Sequence, residues 1–161
     1  MHPRASFLIE SLDLRAHPEG GFFREIFRST STVVPASTGS TRCAITSMYH
    51  LISAGEVSRL HHVASDEIWH FFEGEPLELY LIDPSLTALE TKLLGPRSEA
   101  AQPVHIVPGN FWQAARPTGA FTLAGCTVGP GFEYEDFTLL EHHADLREKM
   151  RVRFPDLATL L

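Results

Sequence analysis

Residues 59–76, RLHHVASDEIWHFFEGEP, concentrate the side chains best suited to chemistry in this chain. His61, His62, Glu67 and His70 lie close together, and imidazole and carboxylate groups serve both as metal ligands and as general acids and bases. If the stretch forms two strands joined by a turn, alternate side chains point to opposite faces. His61 then faces away from His62, and Glu67 faces away from His70. The strand register across the turn stays open, so alternation alone does not decide whether His61 and Glu67 share a face.

The elements that must position these groups are short strands. From about residue 22 to 137, apolar stretches alternate with turn signals such as SAGE, EGEP, VPGN and VGPG. The segment PLELYLID alternates with period two, with Leu77, Leu79 and Leu81 on one face. Many short strands at near-even spacing predict a β-sandwich or barrel.

Helical patterns occur only near the two ends of the sequence. SFLIESLDL (6–14) predicts a short N-terminal helix with Ser6 as its N-cap. Capping-box spacing of Thr138 and Glu141 predicts a C-terminal helix over 139–153. We therefore expect one all-β domain over 1–161, with a barrel core of about 20–140 and a short helix at each end.

Composition excludes several classes of function. The net charge of −7 and the lack of a Lys/Arg run argue against binding to nucleic acid or to an anionic membrane. The apolar stretches are too short to span a bilayer. Two cysteines, Cys43 and Cys126, provide neither a disulfide framework nor a cysteine-based zinc site. We expect a protein of the reducing cytoplasm.

The spacing of the histidine stretch resembles the first cupin motif. That motif reads G, five residues, H-x-H, three or four residues, E, six residues, G, and here Gly55, His61, Val63, Glu67 and Gly74 take its places. The resemblance implies a jelly-roll β-barrel in which the motif residues point inward. It places His61 and Glu67 on the same inner face.

The second cupin motif, P-x-G-x-x-H, is matched loosely by PGNFWQ, with Gln113 in the last place. Cupins usually hold a metal with three His and one Glu. By position, Val63 and Gln113 stand where two of the histidines would be. Valine cannot bind a metal, and an amide oxygen is a poor ligand beside imidazole. We therefore expect no cofactor, and any divalent metal would bind weakly through His61, Glu67 and Gln113.

The resemblance to one uncharacterised cupin subfamily extends from about residue 8 to 141. It is carried by HPEGGFFREIFRS, SDEIWHFFEGEPLEL, VPGNFWQAA and TLAGCTVGPGFEYEDFTLL. GGFFRE and SRLHH also resemble segments of dTDP-4-dehydrorhamnose 3,5-epimerase, a metal-free cupin. This likeness implies His61 as the catalytic base and Glu25 as a substrate contact, with Arg24 as a substitute for the epimerase arginine. Asp136 or Glu133 would orient His61.

Further pocket residues are predicted on chemical grounds. Gln113 and Arg24 are candidate hydrogen-bond donors to an enolate oxygen. Trp69 and Phe71 are candidates for the wall of a pocket for a ring-shaped ligand, and Tyr49 is a candidate for the epimerase tyrosine.

Three functions remain open from the sequence. The first is a metal-independent epimerase or isomerase acting on a sugar, a nucleotide sugar or a similar small polar molecule. The second is a non-catalytic cupin that binds a small ligand in the barrel. The third is a metal-dependent dioxygenase or isomerase with an incomplete ligand set. Resemblance to cupins also implies a homodimer.

Overall fold

The computed structural model describes residues 1–36 and 39–161, and antiparallel strands are the main regular structure of that part of the chain. The strands are β1 (Arg15–Ala16), β2 (Phe22–Arg28), β3 (Thr32–Val33), β4 (Arg42–Cys43), β5 (Thr46–Ser53), β6 (Ser58–Val63), β7 (Asp66–Gly74), β8 (Leu77–Ile82), β9 (Leu89–Leu94), β10 (Val104–Val107), β11 (Trp112–Pro117), β12 (Phe121–Gly129) and β13 (Phe137–Leu139). The helices are α1 (Pro3–Ser11) and α2 (Ala144–Arg153), and short 3₁₀ helices span Tyr134–Asp136, Leu140–His142 and Pro155–Leu160.

The strands pair into two main sheets. Sheet 1 has the order β1-β2-β5-β12-β7-β10, and sheet 2 has the order β13-β6-β11-β8-β9, while β3 and β4 form a separate ribbon. Neighbours in a sheet are often distant in sequence, as expected for a jelly roll. The predicted all-β jelly-roll class with helices near both ends is confirmed.

The inner faces of the two sheets enclose the main core. Leu77, Leu79 and Leu81 of β8 are at most 2% exposed and pack there with Trp69 of β7 and Cys126 of β12. The period-two pattern of PLELYLID therefore identified the inward face of β8 correctly. Burial of side chains this large is the main force that holds the two sheets together.

The two terminal segments of the chain cover the outer faces of the sheets. Tyr80, Ile82 and Trp112 of sheet 2 pack against Leu140 and Met150 of the C-terminal segment. On sheet 1, α1 buries Ala5 and Leu8 against Leu51 and Leu123. The outer positions of these strands are apolar for that reason.

Both helices begin at residues other than those predicted. Helix α1 begins at Pro3, and the Nδ1 atom of His2 caps it by accepting a bond from the Arg4 N–H at 3.2 Å. Helix α2 begins at Ala144 instead of residue 139, because Phe137–Leu139 pairs with β6 as an edge strand. Tertiary pairing overrides the local capping signal there.

His62 lies on the outer face of sheet 2, as alternation predicts. Its ring contacts Trp112 edge to face, with centroids 4.6 Å apart. Within the described residues, no helix combines the length and the apolar character needed to cross a membrane.

Candidate functional site

A glycine turn between β1 and β2 carries Glu19 into the interior. Gly20 and Gly21 have φ angles of +115° and +70°. A Cβ atom at Gly20 would lie 2.1 Å from the carbonyl oxygen of Val57, and one at Gly21 would lie 2.6 Å from that of Leu51. Glycine is therefore required at both places, because the turn lies directly against neighbouring backbone. Glu19 is left only 2% exposed.

His61 of β6 contacts this buried carboxyl group. Its Nδ1 atom lies 2.7 Å from the carbonyl oxygen of Arg59, and because a carbonyl only accepts, Nδ1 carries the ring proton. The Nε2 lone pair then faces Oε2 of Glu19 at 3.2 Å. Burial raises the pKa of Glu19 and lowers the pKa of His61. Both shifts favour a neutral pair in which Glu19 carries a proton and donates it to Nε2.

Two further histidines approach the same carboxyl group. The Nε2 atom of His50 donates to the carbonyl oxygen of Gly20 at 3.0 Å, so its Nδ1 atom is a lone pair, 3.6 Å from Oε1 of Glu19. This buried Nδ1 atom has no hydrogen-bond partner. The Nδ1 atom of His17 lies 3.7 Å from Oε2 of Glu19. His17, Glu19 and His50 offer ligand atoms that all lie within 4.8 Å of one another, an arrangement able to hold a metal ion.

Burial also governs protonation of these two rings. It lowers the pKa of His50, and it lowers the pKa of His17 to about 2, with help from the neighbouring imidazoles of His50 and His61. Burial thus favours the neutral form of both rings. The Nδ1 lone pair of His50 has no partner, whereas that of His17 accepts a 3.2 Å bond from the Glu19 backbone N–H.

A second buried carboxyl group lies on the other side of His61. Glu67 of β7 accepts a 2.5 Å bond from the amide of Gln113, whose oxygen accepts a 3.0 Å bond from the Trp69 indole N–H. Burial raises the pKa of Glu67, and contact with Glu67 and burial together raise the pKa of the Cys126 thiol. Glu67 is thus held in place by a hydrogen-bond chain from sheet 2 and the core.

His17, Glu19, His61 and Glu67 line a cavity that opens to solvent, with a volume of about 90 Å³. Phe23, Phe132 and Phe137 line its walls. Arg28 lies near the mouth, where it donates to Glu25 at 2.8 Å and to Glu133 at 2.6 Å. Its charge is therefore neutralised by two carboxylates.

The predicted catalytic residues separate into two groups. His61 and Glu67 line the cavity, as expected from the first motif. Asp136 does not contact His61, because its carboxylate accepts bonds of 2.7 and 2.9 Å from Arg42. The prediction that Asp136 orients His61 is therefore wrong, and Glu19 occupies that position. Glu133, the other predicted orienting residue, pairs with Arg28 instead.

The predicted ligand contacts are also divided. Glu25 lines the cavity, whereas Trp69 and Gln113 lie behind it and support Glu67. Arg24 donates to the carbonyl oxygen of Leu12 at 3.0 Å. Tyr49 belongs to the outer face of sheet 1, where it packs edge to face against Phe72. Phe71 packs at the edge of the inner core, and none of Arg24, Tyr49 and Phe71 lines the cavity.

Sequence reasoning missed His17, Glu19 and His50. The available signal was HPEGG, in which an acidic residue precedes two glycines and follows a histidine by two places. Two successive glycines indicate a turn, and they also allow a close backbone approach that buries the residue before them.

The residues at the usual cupin ligand positions do not fit a metal ion. Val63 has no ligand atom. Both ends of the Gln113 amide are engaged, with Trp69 and with Glu67. His61 and Glu67 alone are too few for a tight transition-metal site.

Two antiparallel sheets in jelly-roll order, with polar side chains directed into the barrel between them, define a cupin. The chain belongs to the cupin superfamily family designated DUF985 (Cupin_5), whose model matches residues 6–140.

Its relatives include proteins of similar length. A hypothetical protein from Leishmania major is 31% identical with a TM-score of 0.79, covering 88% of this chain and 93% of that one. Protein SO0799 from Shewanella oneidensis is 33% identical with a TM-score of 0.81, covering 97% and 92%. The uncharacterized protein YML079W of Saccharomyces cerevisiae is 27% identical over 154 residues, 87% of this chain and 77% of the yeast protein.

The fold also resembles that of a Bacillus subtilis oxalate decarboxylase. The TM-score is 0.59 at 14% identity, over 93% of this chain and 38% of that one. At this identity the likeness concerns the fold alone.

Proposed function

We propose that this cupin is an isomerase or epimerase that moves a proton at a carbon next to a carbonyl group in a small polar molecule. His61 is the proposed base. The observation that carries the proposal is the fixed tautomer of its ring: the Arg59 carbonyl holds the proton on Nδ1, so Nε2 carries the lone pair at the cavity wall. Glu19 lies 3.2 Å from this lone pair and must release it before it accepts a substrate proton.

The proposed reaction requires only proton movement. The Nε2 atom of His61 accepts the proton as the C–H bond breaks, and the electron pair moves toward the carbonyl oxygen to form an enolate. His61 returns its proton only to the face from which it came, so the epimer forms when a solvent proton reaches the opposite face and His61 gives its own proton to solvent. Return to the neighbouring carbon after a proton shift between the oxygens gives the isomer. Attraction to Glu67 opposes the lowering of the His61 pKa by burial and so favours the imidazolium ion.

The cavity favours an uncharged sugar over a nucleotide sugar. Its lining combines aromatic walls with the hydroxyl groups of Thr46 and Ser47, which suit a ring with apolar faces and polar edges. Recognition of a diphosphate requires uncommitted positive charge. Among the described residues that line the cavity, Arg28 is the sole Arg or Lys, and Glu25 and Glu133 neutralise it.

Hydrogen exchange with solvent tests the proposal without knowledge of the exact substrate. The protein is incubated in D₂O with a panel of uncharged aldoses and ketoses and one nucleotide sugar, and deuterium at the carbon next to the carbonyl is followed by NMR. We expect exchange with an uncharged sugar, and a loss of at least about 100-fold in His61→Gln.

His62→Gln is the matched control, because His62 is the next residue on the same strand and points to the outer face of the sheet, away from the cavity. It should exchange as fast as the wild type. Exchange that survives in His61→Gln would contradict the role of His61. A panel sugar that binds to the wild type and is recovered without deuterium would favour the non-catalytic binding function instead.

A further inference from the structure

The surroundings of His50 contain an energetic conflict. Its Nε2 atom donates to the Gly20 carbonyl, so its Nδ1 atom is a lone pair. That lone pair has no hydrogen-bond donor, although it is fully buried and faces the Glu19 carboxyl group at 3.6 Å. A buried acceptor without a partner costs about 1–3 kcal/mol in a typical protein.

A cation removes this conflict, because it attracts every lone pair in the cluster at once. We propose that His17, Glu19 and His50 bind a divalent transition-metal ion of the zinc or iron(II) class. Two imidazoles and one carboxylate are a recurrent ligand set for these metals, whereas Mg²⁺ and Ca²⁺ prefer ligand sets made of oxygen.

The distances suit such an ion. Metal bonds of about 2.0–2.2 Å place neighbouring ligand atoms of a tetrahedron about 3.4 Å apart. The ring nitrogens of His17 and His50 lie 3.7 and 3.6 Å from the nearer Glu19 oxygens. Contact of all three groups with one ion requires small side-chain movements, including release of His17 Nδ1 from its 3.2 Å bond to the Glu19 backbone N–H.

The surroundings also support metal binding. Metal-binding histidines usually donate their other ring N–H to a backbone carbonyl or a carboxylate, which fixes the ring. His50 makes this bond to the Gly20 carbonyl. Because Gly20 also belongs to the turn that buries Glu19, one segment fixes two of the three ligands.

Three protein ligands leave a tetrahedral ion one open coordination position. His17, Glu19 and His61 all line the cavity, so an ion held by His17 and Glu19 would lie at the wall of the substrate space. With Glu19 ionised and bound to the metal, the Nε2 lone pair of His61 is released for the substrate proton. If the proposed function holds, the ion supplies positive charge for the enolate oxygen; the site itself does not depend on that reaction.

Metal binding is tested on tag-free protein stripped with EDTA. The protein is titrated with Co²⁺ and Zn²⁺, and binding is followed by the visible absorption of Co²⁺, by its displacement with Zn²⁺ and by elemental analysis. We expect one ion per chain, a Co²⁺ spectrum of low coordination number, and no competition by Mg²⁺.

Variants distinguish the ligands from other histidines. His50→Gln and His17→Gln should weaken binding by more than about 100-fold, beyond the 10–100-fold typical of losing a supporting residue. His17→Cys should retain binding and add a thiolate-to-cobalt charge-transfer band, which gives a positive result even if another variant folds poorly. His62→Gln, which also alters a histidine with an unpartnered Nδ1 atom, should bind like the wild type.

The proposal is overturned if the folded wild type takes up no stoichiometric metal, or if His50→Gln binds as tightly as His62→Gln. Failure of the proposed function gives a different result, since Co²⁺ would then bind normally while no panel sugar exchanges its proton in the loaded protein.

Discussion

Replacing Gln113 with leucine tests the hydrogen-bond chain behind the cavity. Gln113 is 1% exposed and joins the Trp69 indole to the Glu67 carboxylate. Leucine fills a similar volume but leaves two buried polar groups without partners, at about 1–3 kcal/mol each. Burial of the leucine side chain offsets about 1 kcal/mol of this. We therefore expect Gln113→Leu to lower the free energy of unfolding by about 1–5 kcal/mol.

Equilibrium urea unfolding, followed by tryptophan fluorescence and extrapolated linearly to water, measures this loss. The matched control is Gln102→Leu, because Gln102 bonds to the side chain of Arg97 near the surface and its loss should cost less than about 1 kcal/mol. A loss below about 1 kcal/mol for Gln113→Leu, with an unchanged slope, would refute the reasoning. It would mean that the Trp69 indole and the Glu67 carboxylate do not need the Gln113 amide as a hydrogen-bond partner.

Two further predictions concern the turn and a peripheral ion pair. Gly20→Ala should destabilise the fold strongly, because a Cβ atom at Gly20 meets the Val57 carbonyl. Gly55→Ala is the control, since Gly55 also has a positive φ but a Cβ atom there meets nothing within 4 Å. The melting temperature of Gly20→Ala should lie well below that of Gly55→Ala. A hydrogen bond from Arg42 lowers the pKa of Asp136 in the folded protein. The pair therefore stabilises the fold at pH values above the pKa of aspartate in the unfolded chain, and this stabilisation is lost as the pH falls through the pKa of Asp136 in the folded protein. Urea unfolding should therefore show Arg42→Met less stable than wild type at pH 7 and a smaller difference at acid pH; a difference independent of pH would contradict the pairing.

Local sequence patterns were enough to predict the inward side chains of the barrel. In β8 the alternation depends only on the period of a strand, so Leu77, Leu79 and Leu81 could be placed without tertiary information. The resemblance to the first cupin motif placed His61 and Glu67 in the cavity. Strand alternation could not, because β6 and β7 belong to opposite sheets and share no register.

The carboxyl partner of His61 could not be found in the same way. Glu19 reaches His61 through a turn that packs on neighbouring backbone, and no local pattern specifies that contact. The choice of Asp136 failed for a related reason, because Arg42 lies far away in sequence and pairs with it only after folding. The start of α2 was misplaced because pairing of Phe137–Leu139 with β6 is likewise non-local. The homodimer and the reducing compartment stay predictions.

The proposed metal ligands and the proposed base come from different layers of the molecule. His17 and Glu19 lie on the turn between β1 and β2, His50 lies on β5 in the same sheet, and His61 lies on β6 in the opposite sheet. An occupant that contacts Glu19 and His61 therefore links the two halves of the sandwich. Such a link cannot form in a chain that has assembled only one sheet. The binding energy of the occupant therefore stabilises only the complete fold, not a partly folded chain. Occupancy would then report on the closure of one sheet over the other, which joins residues far apart in sequence.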